Sequence, residues 1–208
     1  MFINWARQEI ALKIVYYGPG LSGKTTNLRY IFDNINPSLR GDLITLNTKE
    51  DRTLFFDFLQ LELGKILGKK PRFNLYTVPG QVYYAESRKI ILSGVDGIVY
   101  VADAQVERMD DNLNTLLDLE ENLITMGRTL KSLPLVLQFN KWDLPNAANF
   151  EILQQRLNFH NAPYFKSVAT KGVGVFETLK AIINQIVTQA QQYAGRGLSK
   201  GNAILTRD

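Results

Sequence analysis

Cysteine is absent from the 208-residue chain, which excludes disulfides and thiolate metal sites and suits a reducing compartment. Histidine occurs once, as His160 in a polar stretch before Pro163, and is assigned no role. No apolar run approaches the ~18 residues that a membrane span needs. The start Met1-Phe2-Ile3-Asn4-Trp5 has no basic region followed by an apolar stretch, Phe2 stands where myristoylation needs glycine, and no C-terminal cysteine offers a prenylation site. A cytoplasmic protein is therefore expected, with any membrane contact indirect or electrostatic. Dense basic blocks and aromatic stripes are also lacking. The net charge of +4 is scattered, so nucleic acid is not the expected partner and a nucleotide polyphosphate accounts for some of the positive charge better.

What is present fits one compact domain: 45% apolar and 21% charged residues, with enough length for a substantial core. We expect a domain over residues 1–193 and a flexible tail over 194–208, which holds three glycines and little periodicity. Arg196, Lys200 and Arg207 in that tail read as solvated, with contact to anionic lipid as the lesser alternative. No internal repeat is found.

Ile10 to Tyr17 is a β-prone run ending at glycine, and Lys24 to Phe32 reads as a helix. Residues 34–51 carry turn signals around one strand-like piece, Leu43 to Leu46, and read as a mobile connection. Thr53 to Leu63 and Arg72 to Val78, separated by Gly64 and Gly68, suggest an antiparallel hairpin. Helix and strand then alternate: helix Tyr84–Leu92, strand Gly97–Ala102, helix Asp110–Met126, strand Leu135–Phe139, helix Phe150–Leu157, strand Tyr164–Val168, helix Val175–Tyr193. Such alternation implies an α/β fold, a mostly parallel six-stranded sheet with one antiparallel region and helices on both faces. Ligands in such folds sit at the carboxyl ends of the strands. On the strand from Thr53, aromatics on both faces favour core packing, and a partner-binding edge is the alternative.

Gly18-Pro19-Gly20-Leu21-Ser22-Gly23-Lys24-Thr25 fits G-x-x-x-x-G-K-[ST], between a strand and a helix. Glycines let backbone N–H groups close around phosphate oxygens, and the helix adds its positive end. The candidate contacts are Gly18, Gly20, Leu21, Ser22, Gly23, Lys24, Thr25 and Thr26. Lys24 reaches toward the β- and γ-phosphates, which also makes it a catalytic candidate, and the Thr25 hydroxyl is a candidate Mg²⁺ ligand. ATPases, nucleotide kinases and GTPases share this loop, so the base is read elsewhere. Asn140-Lys141-Trp142-Asp143 follows a strand, and the Asp143 carboxylate can accept from both guanine N1–H and the 2-amino group, donors that adenine lacks. Lys141 can lay its aliphatic stem on the purine while Asn140 braces neighbouring loops.

Thr77-Val78-Pro79-Gly80-Gln81 closes a strand, placing the Gly80 N–H for a γ-phosphate and Gln81 to orient the attacking water. Asp51-Arg52-Thr53 ends the connecting segment; Thr53 is a second candidate Mg²⁺ ligand. Arg52 has two readings, a solvated surface arginine or an arginine finger supplied in cis. Ser167 to Gly172 follows the last strand. Val168 and Ala169 are candidate base contacts there, with the Ala169 N–H assigned to guanine O6.

Together these residues resemble the Ras-like small GTPases and, within them, the bacterial MglA family of cell-polarity and gliding-motility GTPases. The likeness rests on Lys13 to Gly20, Asp51 to Phe58, Leu75 to Val82 and Gly94 to Val99, and runs from about Ile3 to Tyr193. It implies a P-loop NTPase of the small G-domain type that hydrolyses GTP with Mg²⁺. It also implies that Arg52 is an intrinsic finger, moved into place when a homodimeric Roadblock-fold partner, MglB, shifts the strand near Thr53. The chain alone is expected to be a monomer. Thr77 stands where Ras-like proteins typically carry an aspartate on the Mg²⁺ side, and Asp57 and Asp103 are the neighbours that can compensate. A GTP-sensing scaffold with negligible turnover is the rival function. A nucleotide kinase would need an arginine-rich lid, which the sequence does not show.

Overall fold

The computed structural model describes residues 2–4, 8–47, 55–66, 68–80 and 85–202. Eight strands form one sheet: β1 (Phe2–Asn4), β2 (Glu9–Tyr17), β3 (Ile44–Asn47), β4 (Phe55–Glu62), β5 (Lys70–Thr77), β6 (Gly97–Asp103), β7 (Leu135–Asn140) and β8 (Tyr164–Lys166). Seven follow the order β3-β4-β5-β2-β6-β7-β8, and β1 pairs antiparallel with β2. The count corrects the expected six strands. One addition is β1, whose three residues are too few to show a period. β3 is the other; it lies at the strand-like piece Leu43 to Leu46 within the connecting segment, which the expected sheet does not count.

The helices are α1 (Lys24–Asn34), α2 (Ala85–Leu92), α3 (Met109–Thr125), α4 (Phe150–Leu157) and α5 (Val175–Asn202). α5 continues nine residues beyond the expected end at Tyr193. β2 lies between parallel partners β5 and β6, while the expected hairpin β4–β5 is antiparallel. At such a reversal of strand order, a crevice opens at the carboxyl ends of the strands.

Alternation along β2 builds two cores. Val15 and Tyr17 face Leu116, Leu119 and Leu123 of α3, with Ile91 and Leu92 of α2. Leu12, Ile14 and Tyr16 face Leu28 and Ile31 of α1, with Leu179, Ile182 and Ile186 of α5. Burying each such aliphatic side chain contributes roughly 1.5–3 kcal/mol, so helices on both faces are fixed by the pleat of one strand. Gly97 shows how closely α5 approaches: a Cβ there would meet Ile186 at 2.6 Å. β4 is internal, with Leu59 and Leu61 fully buried, as core packing requires. β3 is one edge of the sheet, with Ile44 and Leu46 exposed, and β8 is the other.

Candidate nucleotide site

The phosphate loop turns through conformations that side chains disfavour: Gly18 has φ 143° and Gly23 φ 101°. Both are also sterically closed. A Cβ on Gly18 would lie 2.2 Å from the Val101 carbonyl oxygen, and one on Gly23 would lie 2.1 Å from Asn140 Nδ2. The N–H groups of Gly20, Leu21 and Gly23 make no backbone hydrogen bond among the described residues. α1 begins directly after Gly23 with no side-chain cap and no acidic residue in its first turn. α4, by contrast, is capped by Asn149, whose side chain accepts from the N–H groups of Glu151 and Ile152. The N-terminus of α1 is thus left as an anion-binding end.

Lys24 is buried, and its ammonium donates to the carbonyls of Gly18 (2.9 Å) and Pro19 (2.7 Å). Burial pulls its pKa down to about 7; Asp57 opposes this fall, while Arg88 and Arg108 add to it. Thr25 and Thr26 occupy the first turn of α1, partly buried. Ser22 is fully buried, whereas Leu21 is 86% exposed with φ 64°.

At the end of β7, Asn140 ties the base-reading segment to the phosphate loop. Its Nδ2 donates to the Ser22 carbonyl (2.7 Å), and its Oδ1 accepts from the Ala169 N–H (2.9 Å) and the Ser167 hydroxyl (3.1 Å). Ala169 therefore serves the site by holding Asn140, and a contact to guanine O6 would share that one hydrogen. Val168, just before it, is buried. Lys141 turns the chain with φ 63° and sets its ammonium 2.5 Å from the fully buried carboxylate of Asp103. Asp143 stays accessible and accepts from Lys171 (2.8 Å), a hydrogen bond that holds its carboxyl below the usual carboxylate range. Ionised, it only accepts, as guanine recognition requires. Beneath, Gln138 of β7 exchanges hydrogen bonds with Asn27 of α1 (2.8 and 3.0 Å) and donates to Thr178 of α5 (3.1 Å).

The third part of the site lies where β4 pairs with β5. The register that sets Phe58 opposite Tyr76 sets Asp57 opposite Thr77. The Asp57 carboxylate accepts from the hydroxyls of Thr25 (2.6 Å), Thr77 (2.9 Å) and Thr45 (2.8 Å), and the Asp57 N–H donates to Thr77 Oγ1 (2.8 Å). Gly80 presses on the loop: a Cβ there would meet Gly20 N at 2.2 Å and Pro19 C at 2.5 Å. Arg52, Thr53 and Gln81 lie outside the described residues.

A model of the ADP-ribosylation factor family matches residues 2–193. The chain is also 54% identical over 191 residues to the "Mutual gliding-motility protein MglA" of Myxococcus xanthus (strain DK1622), covering 92% of this chain and 98% of that protein.

The chain belongs to the MglA family of Ras-like small GTPases.

As a member of the MglA family it is a GTP-binding enzyme that hydrolyses GTP. Of the two carboxylates weighed beside Thr77, the geometry favours Asp57, since Asp103 is engaged by Lys141. Oxygen donors from Thr25 and Asp57 suit a hard cation such as Mg²⁺. No group of three His, Cys, Asp or Glu residues able to hold a metal occurs among the described residues. A site supplying one or two protein oxygens and leaving the rest to phosphate and water is the usual arrangement for Mg²⁺. Two side chains at the site were not anticipated from sequence. Lys171 adjoins Asp143, and Arg108, before α3, donates to the Gly20 carbonyl (2.7 Å). Lys171 lies in the Ser167 to Gly172 segment, where the sequence assigns it no role, and Arg108 belongs to no motif.

Proposed function

We propose that this chain is a GTP-controlled switch whose site comprises Gly18, Gly20, Leu21, Ser22, Gly23, Lys24, Thr25, Thr26, Thr53, Gly80, Asn140, Lys141, Asp143, Val168 and Ala169. The observation that carries the reading is the 2.7 Å hydrogen bond from Asn140 to the Ser22 carbonyl, which joins a guanine reader to a phosphate loop in one rigid unit. Loop N–H groups and the open end of α1 receive the phosphates, and Lys24 neutralises them. Asp143 selects guanine, and Lys141, held by Asp103, covers the base.

Mg²⁺ would be held by Thr25, with Thr53 completing its coordination in the GTP state and Asp57 supplying the negative charge that Thr77 lacks. When bound, it neutralises charge between the β- and γ-phosphates. Gln81 orients the attacking water, and Arg52 stabilises the charge that develops on the transferred phosphoryl group. A homodimeric Roadblock-fold partner of the MglB type sets Arg52 in place, so turnover is slow alone and faster in the complex. The relative's name supports a part in gliding motility; a role in cell polarity, and action in the cytoplasm as a monomer until the partner binds, belong to the same proposal. The switching region spans residues 34–84 within a domain of residues 1–193.

The test is competition against fluorescent GTP, followed by phosphate release with and without the Roadblock partner. GTP and GDP are expected to displace the probe and ATP to fail, with release accelerated by the partner. ATP binding as tight as GTP binding would remove the base assignment. Release that ignores the partner would remove the activation scheme.

A further inference from the structure

Arg108 ends the short 3-10 turn Val106–Arg108 between β6 and α3, and its guanidinium has three neighbours. One arm donates to the Gly20 carbonyl at 2.7 Å, a second pairs with Asp111 at 2.8 Å, and Nε lies 3.9 Å from the buried Asp103 carboxylate. Asp103 in turn holds Lys141 and is itself clamped by Asn112 of α3, which accepts from the Asp103 N–H and donates to its carbonyl. The result is a chain of contacts from the phosphate loop through Arg108 and Asp103 to the base-covering Lys141.

The Gly20 carbonyl and the Leu21 N–H belong to one peptide unit, and no cis peptide occurs among the described residues. In a planar trans unit these two groups point in opposite directions. Fixing the oxygen on Arg108 therefore fixes the N–H on the other side. That N–H has no backbone partner among the described residues, and Leu21 sits at φ 64° in a loop where positive φ recurs at Gly18, Leu21 and Gly23, with ordinary backbone between them. Alternation between ordinary and left-handed backbone aims neighbouring N–H groups into an anion-binding concavity. Across the loop Gly80 abuts Pro19 C and the N and Cα of Gly20, so it packs against the preceding peptide while Arg108 holds the Gly20 carbonyl.

We propose that Arg108 is a positioning residue for nucleotide retention, orienting the Gly20–Leu21 peptide toward the phosphates and bracing Asp103 beneath Lys141. The inference rests on the nucleotide site proposed above. Arg108 acts through the loop amide and through Lys141, touching no reacting atom itself. Its guanidinium supplies two donors in a fixed fork and a delocalised charge, a combination that lysine reproduces only in part.

The test measures dissociation of fluorescent GDP, in the presence of Mg²⁺, from the full chain and from Arg108→Ala, Arg108→Lys and Asp111→Asn, with thermal unfolding of each nucleotide-free protein alongside. Loss of one charge-assisted hydrogen bond predicts release about tenfold faster from Arg108→Ala, with Arg108→Lys in between. Asp111→Asn, which removes only the exposed partner, leaves the rate unchanged. Unfolding midpoints of the nucleotide-free variants stay within about two degrees, since the arginine is partly exposed and buries little apolar surface. Release at the wild-type rate from Arg108→Ala overturns the proposal, as does an Arg108→Lys rate equal to that of Arg108→Ala. A midpoint that falls in step with retention marks a merely structural role and overturns it too. A wild-type protein that holds GDP no better than ADP defeats the site reading itself, and this proposal with it.

Discussion

At the guanine end of the cleft, Asn140 uses both side-chain atoms in three hydrogen bonds with buried partners from the phosphate loop and from the segment after β8. At the phosphate end, Asp57 gathers three threonine hydroxyls, and Lys24 donates to two loop carbonyls. The first arrangement is made of neutral groups with their hydrogen-bonding capacity largely used. The second is made of charged groups whose partners are small hydroxyls and carbonyls. A neutral, satisfied cluster holds shape; a charged one with exchangeable partners accepts new ligands. Rigidity at the base and readiness at the phosphates follow from the residue types alone.

The sharpest way to break the contrast is Asn140→Ala. It strips partners from the Ser22 carbonyl, the Ala169 N–H and the Ser167 hydroxyl, and at ~1 kcal/mol for each of these hydrogen bonds it should weaken GDP about a hundredfold by calorimetric titration. A loss below tenfold would show that the base end keeps its shape by other means. Next in size, Gly80→Ala forces backbone apart at 2.2 Å, whereas a Cβ on Gly20 meets nothing closer than 3.6 Å. Urea unfolding should register roughly 1–3 kcal/mol for Gly80→Ala and little for Gly20→Ala. Equal effects would mean that the two segments do not press on one another as described.

Asp57→Asn keeps the shape and removes the charge. The Mg²⁺ concentration needed for half-maximal GTP hydrolysis should then rise about tenfold, the scale of one charge-assisted contact. An unchanged Mg²⁺ requirement would take Asp57 off the metal side.

The smallest expected effect is one of pH on the nucleotide-free protein. Lys24 titrates near 7 when folded and near 10.5 when unfolded. Between those values the unfolded chain binds more protons, so stability rises with pH; below about 7 both states are protonated and the dependence vanishes. The gain from pH 7 to pH 8 should be about 1 kcal/mol, and Lys24→Met should abolish it. A polyphosphate favours the charged ammonium, so GDP binding at pH 8 should take up a proton, visible as buffer-dependent binding heat.

Motifs that span few residues are legible in the amino-acid sequence itself. Gly18 to Thr25 and Asn140 to Asp143 each carry their chemistry within eight residues or fewer, between elements whose periodicity is plain. Contacts made by pairing across the sheet are not legible in this way. That Asp57 rather than Asp103 stands beside Thr77 depends on the β4–β5 register, and Arg108 reaches Gly20 across 88 residues. The strand count differs for a related reason: β1 is three residues long and too short for a period, while β3, strand-like in sequence over Leu43 to Leu46, owes its place in the sheet to its ladder with β4.

The pairing of Asp57 with Thr77 also constrains how such a site can change by descent. Restoring an aspartate at position 77 in this chain would set two carboxylates face to face across the ladder, where like charges that close cannot both ionise. Losing Asp57 first would leave the Thr25 and Thr77 hydroxyls with no anion between them. Either change made alone would therefore leave the pair of positions with two facing carboxylates or with none.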